Sequence, residues 1–366
     1  MPEGDGPGMI HAPGIYFGMP EAEYHADESF STSAIKAIIQ DPEEYWENSW
    51  MNPDRPPEEE KDVLARGKLW HARILQPEVF DEKYVLAPHL DPDFAKGKAV
   101  LKTIDDMKEW LDANRIPYKK SGSKDDFVFA VSHAWKLGIG DPEPYLFHRE
   151  SENFTTDNTG RIVIDDRKEY DAMLAAEAVM RSHPYFSKVF QGGMSEVAIF
   201  WIDPDSGLPM KGLIDKLKPR VILDYKTFHV PRGKSARKAA LDAIKFEHYD
   251  IQVAVYTVGL AHVVNMINAG TAVISGDVPG AFIDELRQSP EKKFGFVFQK
   301  EDRPYTVRGL TVVRRGGDLF NVFGAGLSYM QQGIQTFQRY RELYGESRWF
   351  DPEGMIEIAD HEIYYS

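Results

Sequence analysis

The segment most able to do chemistry is GLIDKLKPRVILDYK, from Gly212 to Lys226. Asp224 and Lys226 are two residues apart in an apolar run. On a strand both side chains leave one face while Leu223 and Tyr225 leave the other. Asp215 lies on the preceding apolar run, and the short Lys218-Pro219 connection can return it beside Asp224. Two carboxylates and a backbone carbonyl, such as that of Tyr225, are hard oxygen ligands of the kind Mg²⁺ prefers. A lysine alongside can position or deprotonate a water, or neutralise charge growing on a phosphoryl group. Alone, an acid-x-Lys tripeptide says little, because chance supplies roughly four in a chain of this composition. The setting says more: two acids and a lysine among Val, Ile and Leu are costly to bury unless they pair or hold a metal.

Other residues gain meaning beside this group. Gln252 and Tyr256 are four apart on an expected helix, so they share a face and can both contact a phosphate or nucleotide. His71 stands among Leu69, Trp70, Ile74 and Leu75, where a core histidine is the plainer reading. Glu196 opens a strand and by itself is a strand-end charge. The window from Lys211 to Lys245 holds ten basic residues and three acids, +7 in a chain of net charge −15. Arg232, Lys234, Arg237 and Lys238 lie in its loop. Such a patch can hold phosphates while the acidic remainder keeps the chain in solution; a solvated Lys/Arg loop is the plain alternative.

These residues need elements to hold them. Residues 1–13 read as a disordered tail, followed by an extended segment, GIYFGMPEAEYHADESF. Ser31 or Ser33 can cap a helix through Ile38 that Asp41-Pro42 ends. A Pro/Glu-rich connection spans 52–61, and helices are expected at 63–75, 98–113, 127–137 and 167–181. The period then changes to that of strands, at 196–203, 209–217 and 220–228. A helix over 236–268, strands at 293–299 and 304–313, and a helix at 318–343 complete the order. Residues 251–276 contain no Asp, Glu, Lys or Arg, but Gln252, His262, Asn265 and Asn268 mark a buried core helix rather than a membrane span.

The chain has 366 residues, 42% of them apolar, ample for a sizeable core. Mean hydropathy is −0.43, which describes a soluble globular chain. Cysteine is absent, which excludes disulfides, thiolate zinc sites, cysteine-ligated iron–sulfur clusters and cysteine nucleophiles, and fits a reducing cytoplasm. The segment MPEGDGPG has neither a basic nor an apolar stretch of a secretory signal.

In order, His71, Glu196, Asp215, Asp224-x-Lys226 and Gln252-x-x-x-Tyr256 resemble the PD-(D/E)XK nuclease superfamily, in its RecB-like branch. Within that branch the chain is most similar to the exodeoxyribonuclease VIII (RecE-type) enzymes of phages and prophages. The pieces that carry the likeness are EYHADESFSTSAIKAIIQDPEEYW, RGKLWHARILQPEVF, SEVAIFWID, MKGLIDKLKPRVILDYKT, YDIQVAVY and FGFVFQKEDRPYTV. The resemblance implies an α/β fold whose nuclease core is a central mixed β-sheet flanked by helices, with an N-terminal helical elaboration and a C-terminal helix. The expected divisions are the tail, a mostly helical part at 14–180, and the core at 181–366. It implies that Asp215, Asp224 and the Tyr225 carbonyl bind Mg²⁺ or Mn²⁺, with Glu196 and His71 near the metal. Lys226 would be the catalytic lysine, and Gln252 and Tyr256 would contact the nucleic-acid strand.

The implied activity is Mg²⁺-dependent exonucleolytic digestion of linear duplex DNA, 5′ to 3′, in phage-type recombination in a bacterial cytoplasm. Its implied partners are DNA, a single-strand annealing protein and further copies of the chain, in some relatives a ring. A structure-specific endonuclease and a non-catalytic DNA-binding assembly protein are the rival readings. Ile214 stands where the superfamily's name has Pro, and residues 81–165 match no motif.

Overall fold

The computed structural model describes residues 10–56, 62–88, 92–147, 154, 157–289, 292–312 and 321–352. The path opens with β1 (Gly14–Tyr16), α1 (Glu21–Ala26), α2 (Thr32–Gln40), α3 (Pro42–Asn48) and α4 (Asp62–Leu75). Next come α5 (Pro77–Lys83), β2 (Tyr84–Leu86), α6 (Pro92–Ala95), β3 (Ala99–Val100), α7 (Ile104–Ala113), α8 (Lys124–Lys136), β4 (Pro144–Tyr145) and β5 (Ile162–Ile164). Helix α9 (Arg167–Ser182) leads to β6 (Met194–Ile202), β7 (Pro209–Lys218), β8 (Val221–Phe228), α10 (Ala236–Phe246) and α11 (Tyr249–Ala269). The path closes with β9 (Val273–Ser275), α12 (Gly280–Gln288), β10 (Lys293–Lys300), β11 (Val307–Val312) and α13 (Val322–Tyr344).

The chain divides into two compact units, Met1–Gln76 with Ala175–Ser366, and Pro77–Leu174. In the second, α7 and α8 each begin with a capping box, Thr103 with Asp106 and Ser123 with Asp126. They bury Met107, Trp110, Leu111, Phe127, Val128 and Val131 around one small core.

The first unit is built on a seven-stranded mixed sheet, ordered β11-β10-β8-β7-β6-β1-β9. Strands β6, β7 and β8 form an antiparallel meander, β10 joins β8 in parallel, and β9 joins β1 in parallel. The meander follows from local chemistry. The Asp203–Gly207 turn closes through Asp203 Oδ2, which accepts from the Ser206 amide at 2.9 Å, and Gly207 adopts φ +72°. Strand β8 lies between two neighbours, which its near-continuous apolar run, Val221–Leu223, requires.

Helix α11 is the core helix expected from the charge-free stretch. It is long and apolar enough to cross a membrane by composition, but most of it is buried. It packs on β6, β7, α2 and α13. Val253, Val255, Leu260, Val263 and Val264 are nearly or fully buried, each contributing about 1.5–3 kcal/mol. Gly259 lets the helix approach the sheet, since a Cβ there would lie 2.5 Å from the Trp201 ring.

Several boundaries differ from expectation. The helix expected over 236–268 is two, because His248 turns left-handed at φ 50° between α10 and α11. The helix expected at 98–113 begins only at Ile104, behind the Thr103 cap, and residues 99–100 are a strand. Helix α8 starts at Lys124, three residues early, because Ser123 caps it. Strand β11 starts at Val307 rather than 304. Of the expected tail, residues 1–9 lie outside the described residues, as do 57–61 of the Pro/Glu-rich connection, residue 313 and residues 318–320. Ile10 and His11 donate backbone amides to Asp27 Oδ2, both at 3.0 Å.

Candidate active site

The site forms where two strands of the meander part. The β7–β8 ladder pairs Lys218 with Val221, Leu217 with Ile222 and Lys216 with Leu223, and goes no further. The next two residues are Asp215 and Asp224. Past the split the Tyr225 amide takes a carboxylate instead of a ladder carbonyl, donating to Asp215 Oδ2 at 2.8 Å. The two aspartates from neighbouring strands therefore meet at one place, both buried.

Strand β6 brings the third acid. Ser195 pairs with Lys216 and Val197 with Ile214, so Glu196 lies opposite Asp215, at a position left out of the ladder. Its φ of 50° is unusual for a residue with a Cβ and marks local strain in an otherwise regular strand. Helix α4 supplies His71, whose Nδ1 lies 3.5 Å from Asp215 Oδ2 and whose ring stands edge-on to Tyr225 at 5.3 Å. One ligand atom from each of His71, Glu196 and Asp215 lies within 4.8 Å of the others. Ligands about 2.0–2.6 Å from one ion stand at such separations.

Asp224 is turned to a different task. It is 1% exposed. Its Oδ2 accepts from Gln252 Nε2 at 2.5 Å. Its Oδ1 stands 2.7 Å from Lys226 Nζ, an ion pair off the line of a hydrogen bond, so Oδ1 is buried without a hydrogen-bond donor. The Lys226 ammonium compensates that oxygen's charge, and the oxygen keeps lone-pair capacity for an incoming cation. His71, Glu196 and Asp215 form a donor set that fits a divalent ion, with the Asp224 carboxylate on the neighbouring strand.

The electrostatics agree. Three carboxylates face one lysine and one histidine. Burial pushes Glu196 up to about 8, helped by Asp215, Glu21 and Asp224. Burial and Asp215 push Asp224 up to about 6. Burial raises Asp215 as well, against the pull of Lys226. Burial, then the Lys226 charge, lowers His71 to about 4, leaving it neutral and able to act as a ligand. Lys226 goes the other way: burial pulls it down, but Asp224 and Asp215 outweigh that and hold it above its usual range.

The other expected contacts are placed differently. Gln252 and Tyr256 do share a face of α11, but that face looks into the protein and both are buried. The Tyr256 hydroxyl pairs with Gln252, whose amide is committed to Asp224. The Tyr225 side chain leaves the opposite face of β8, where its hydroxyl donates to Gln299 Oε1 at 2.9 Å. Arg232, Lys234, Arg237 and Lys238 are exposed on the loop after β8 and the first turn of α10. Lys234 and Lys238 both pair with Asp242, at 2.9 and 2.8 Å. Sequence reasoning passed over Lys36 and Tyr249, which border Lys226. Their only signal was position: Lys36 on the Ser31-capped helix, Tyr249 three residues before Gln252.

No curated protein matches the chain. Among solved structures it is similar to a crystal structure of a "putative exonuclease" from Eubacterium rectale. That match has 14% identity and a TM-score of 0.35, covering 76% of this chain and 99% of the other. A family model for a PDDEXK-like domain of unknown function (DUF3799) matches residues 31–273, a span that takes in His71, Glu196, both aspartates, Lys226, Gln252 and Tyr256. The match takes in the parted strands with their aspartates and lysine, and the chain belongs to this PDDEXK-like family of the PD-(D/E)XK nuclease superfamily.

Proposed function

We propose that this protein is a divalent-metal-dependent deoxyribonuclease that digests linear duplex DNA from its ends, 5′ to 3′, with 5′-phosphate products. The observation that carries the reading is the set at the strand split: three carboxylates raised by burial and by one another, a neutral His71 and a protonated Lys226. Asp215, Asp224, Glu196 and His71 would hold Mg²⁺ or Mn²⁺. When bound, such an ion supplies positive charge to the scissile phosphate and acidifies a water. Lys226 orients the attacking water and neutralises charge that builds on the phosphoryl oxygens as the 3′-oxygen leaves. Gln252, held by Tyr256, fixes the rotamer of Asp224. The exposed Arg232, Lys234, Arg237 and Lys238 are the nearby cations suited to phosphates of the duplex. Phage-type recombination in a bacterial cytoplasm, a strand-annealing partner and assembly of several copies, as in a ring, belong to the same reading.

The test uses end-labelled linear duplex with Mg²⁺ or Mn²⁺. Asp224→Ala and Lys226→Ala are expected to lose at least about 10³-fold in rate. Equal nucleotide release by wild type and both variants would overturn the assignment. Covalently closed circles should stay intact; nicking of such circles would make the protein an endonuclease of the same fold.

A further inference from the structure

A second lysine stands beside the first. Helix α2 presents Lys36 to the start of α11, where its ammonium donates to the Glu247 carbonyl at 2.6 Å. That carbonyl belongs to the residue that ends α10, just before His248 turns left-handed. Lys36 Nζ lies 5.1 Å from the centre of the Tyr249 ring, and Lys226 Nζ lies 5.0 Å from the same centre. The two nitrogens are therefore no more than about 10 Å apart.

This placement is unfavourable in the protein alone. Lys36 is partly buried, and burial followed by the charge of Lys226 lowers it to about 8. Glu247, Asp224 and Asp250 pull the other way. Among the described residues no carboxylate comes within ion-pair distance of Lys36; its partner is a neutral carbonyl. Lys226 is ion-paired with Asp224, whereas the ammonium of Lys36 meets only a neutral carbonyl and is the one that can take an anion. A DNA strand carries one phosphate per about 3.4 Å of helix axis. A strand whose scissile phosphate lies at Lys226 thus brings the next phosphate within reach of a cation less than about 10 Å away.

We propose that Lys36 is a substrate-binding residue whose ammonium takes the phosphate next to the scissile one, with the Tyr249 ring spacing it from Lys226. The proposal rests on the nuclease reading and names a contact beyond it. Asp224 and Gln252 set the chemistry on one side of Lys226; Lys36 sets where the strand lies on the other.

Lys36→Gln separates the two duties of this side chain, since an amide can still donate to the Glu247 carbonyl but carries no charge. Binding of a fluorescent duplex is measured by anisotropy from 50 to 200 mM salt without divalent ions, so nothing is cut. Lys36→Gln is expected to bind several-fold more weakly and to reduce the slope of log affinity against log salt by about 0.9. Its KM for cleavage should rise by a larger factor than its kcat falls, and Lys36→Arg should retain the wild-type slope. A wild-type slope and KM for Lys36→Gln would overturn the proposal and leave Lys36 as a clamp on the Glu247 carbonyl. Should Lys36→Gln lose its cooperative melting transition, acetylation of wild-type protein decides. Duplex DNA should protect Lys36 from the reagent, and no protection would overturn the proposal. A wild-type protein that neither binds nor cuts DNA would instead condemn the nuclease reading itself.

Discussion

Strand β7 takes part in two clusters of buried charge and treats them in opposite ways. At Lys211 both charged groups are hydrogen-bonded. Asp27 Oδ2 accepts from the Ile10 and His11 amides and from His11 Nδ1, while Oδ1 accepts from the Ser29 amide. Lys211 donates to the carbonyls of Tyr24 and Asp27, at 2.9 and 2.5 Å. Burial alone would raise Asp27, but hydrogen bonds from Ser29 and His11 outweigh it and hold it below its ordinary value. Four residues along the same strand, Asp215 joins Asp224 and Glu196 in a cluster where all three acids are raised. One carboxylate oxygen there has no donor. Both clusters are buried, so burial does not distinguish them. The difference is saturation: both Asp27 oxygens accept hydrogen bonds, whereas Asp224 Oδ1 has only an ion pair.

Removing one carboxylate from each cluster should give opposite results. Asp215→Asn is expected to lose at least about 10³-fold in DNA cleavage while the metal-free protein melts no lower than wild type. Asp27→Ala is expected to cost about 3–5 kcal/mol in urea unfolding, because it strands three amides and an uncompensated Lys211. Its activity per folded molecule should remain. Similar losses of stability in both variants would erase the distinction between the clusters.

The pH dependence carries the same contrast with opposite signs. Glu196 and Asp224 keep protons in the native state, near 8 and 6, that the unfolded chain releases near 4. The native state then binds more protons, so metal-free stability should fall as pH rises from about 5 to 8. Glu196→Gln should flatten that fall by roughly 1–3 kcal/mol. Asp27 is depressed, so its contribution is present above its unfolded pKa and fades as pH drops through its lower native value. Urea titrations at pH 2.5, 4, 5, 6.5 and 8 would show both limbs, and a flat wild-type profile would contradict them. The smallest effect belongs to the exposed pair of Lys238 and Asp242. Lys238→Ala should change stability by less than about 0.5 kcal/mol while lowering the salt slope of DNA binding by about 0.9.

What could be read without coordinates follows the reach of each signal. Strands β6 to β8 were visible because alternation and apolar runs are local, and Asp224 and Lys226 share a face because two residues complete one strand period. Ser31 as the cap of α2 was one of two readings, decided by its bond to the Ala34 amide. Strand β1 was legible only as an extended segment and β9 only as a strand or loop after the core helix, because three residues are too short to show a period. The break at His248 was hidden because helical periodicity continues on both sides of one left-handed residue. Gln252 and Tyr256 read as outward contacts because spacing says which residues share a face, not what that face meets.

The sequence by itself determined the meander, the core helix, the lack of thiol chemistry and the pairing of an acid with a lysine on one strand face. Each depends on neighbours a few residues apart or on composition. Only the tertiary structure decided that β7 and β8 part after Lys216 and Leu223, that Glu196 lies opposite Asp215, and that Lys36 shares Tyr249 with Lys226. Those contacts join residues up to about two hundred positions apart. They exist because α4 and α11 pack on one sheet and α2 packs on α11, and no local period encodes that.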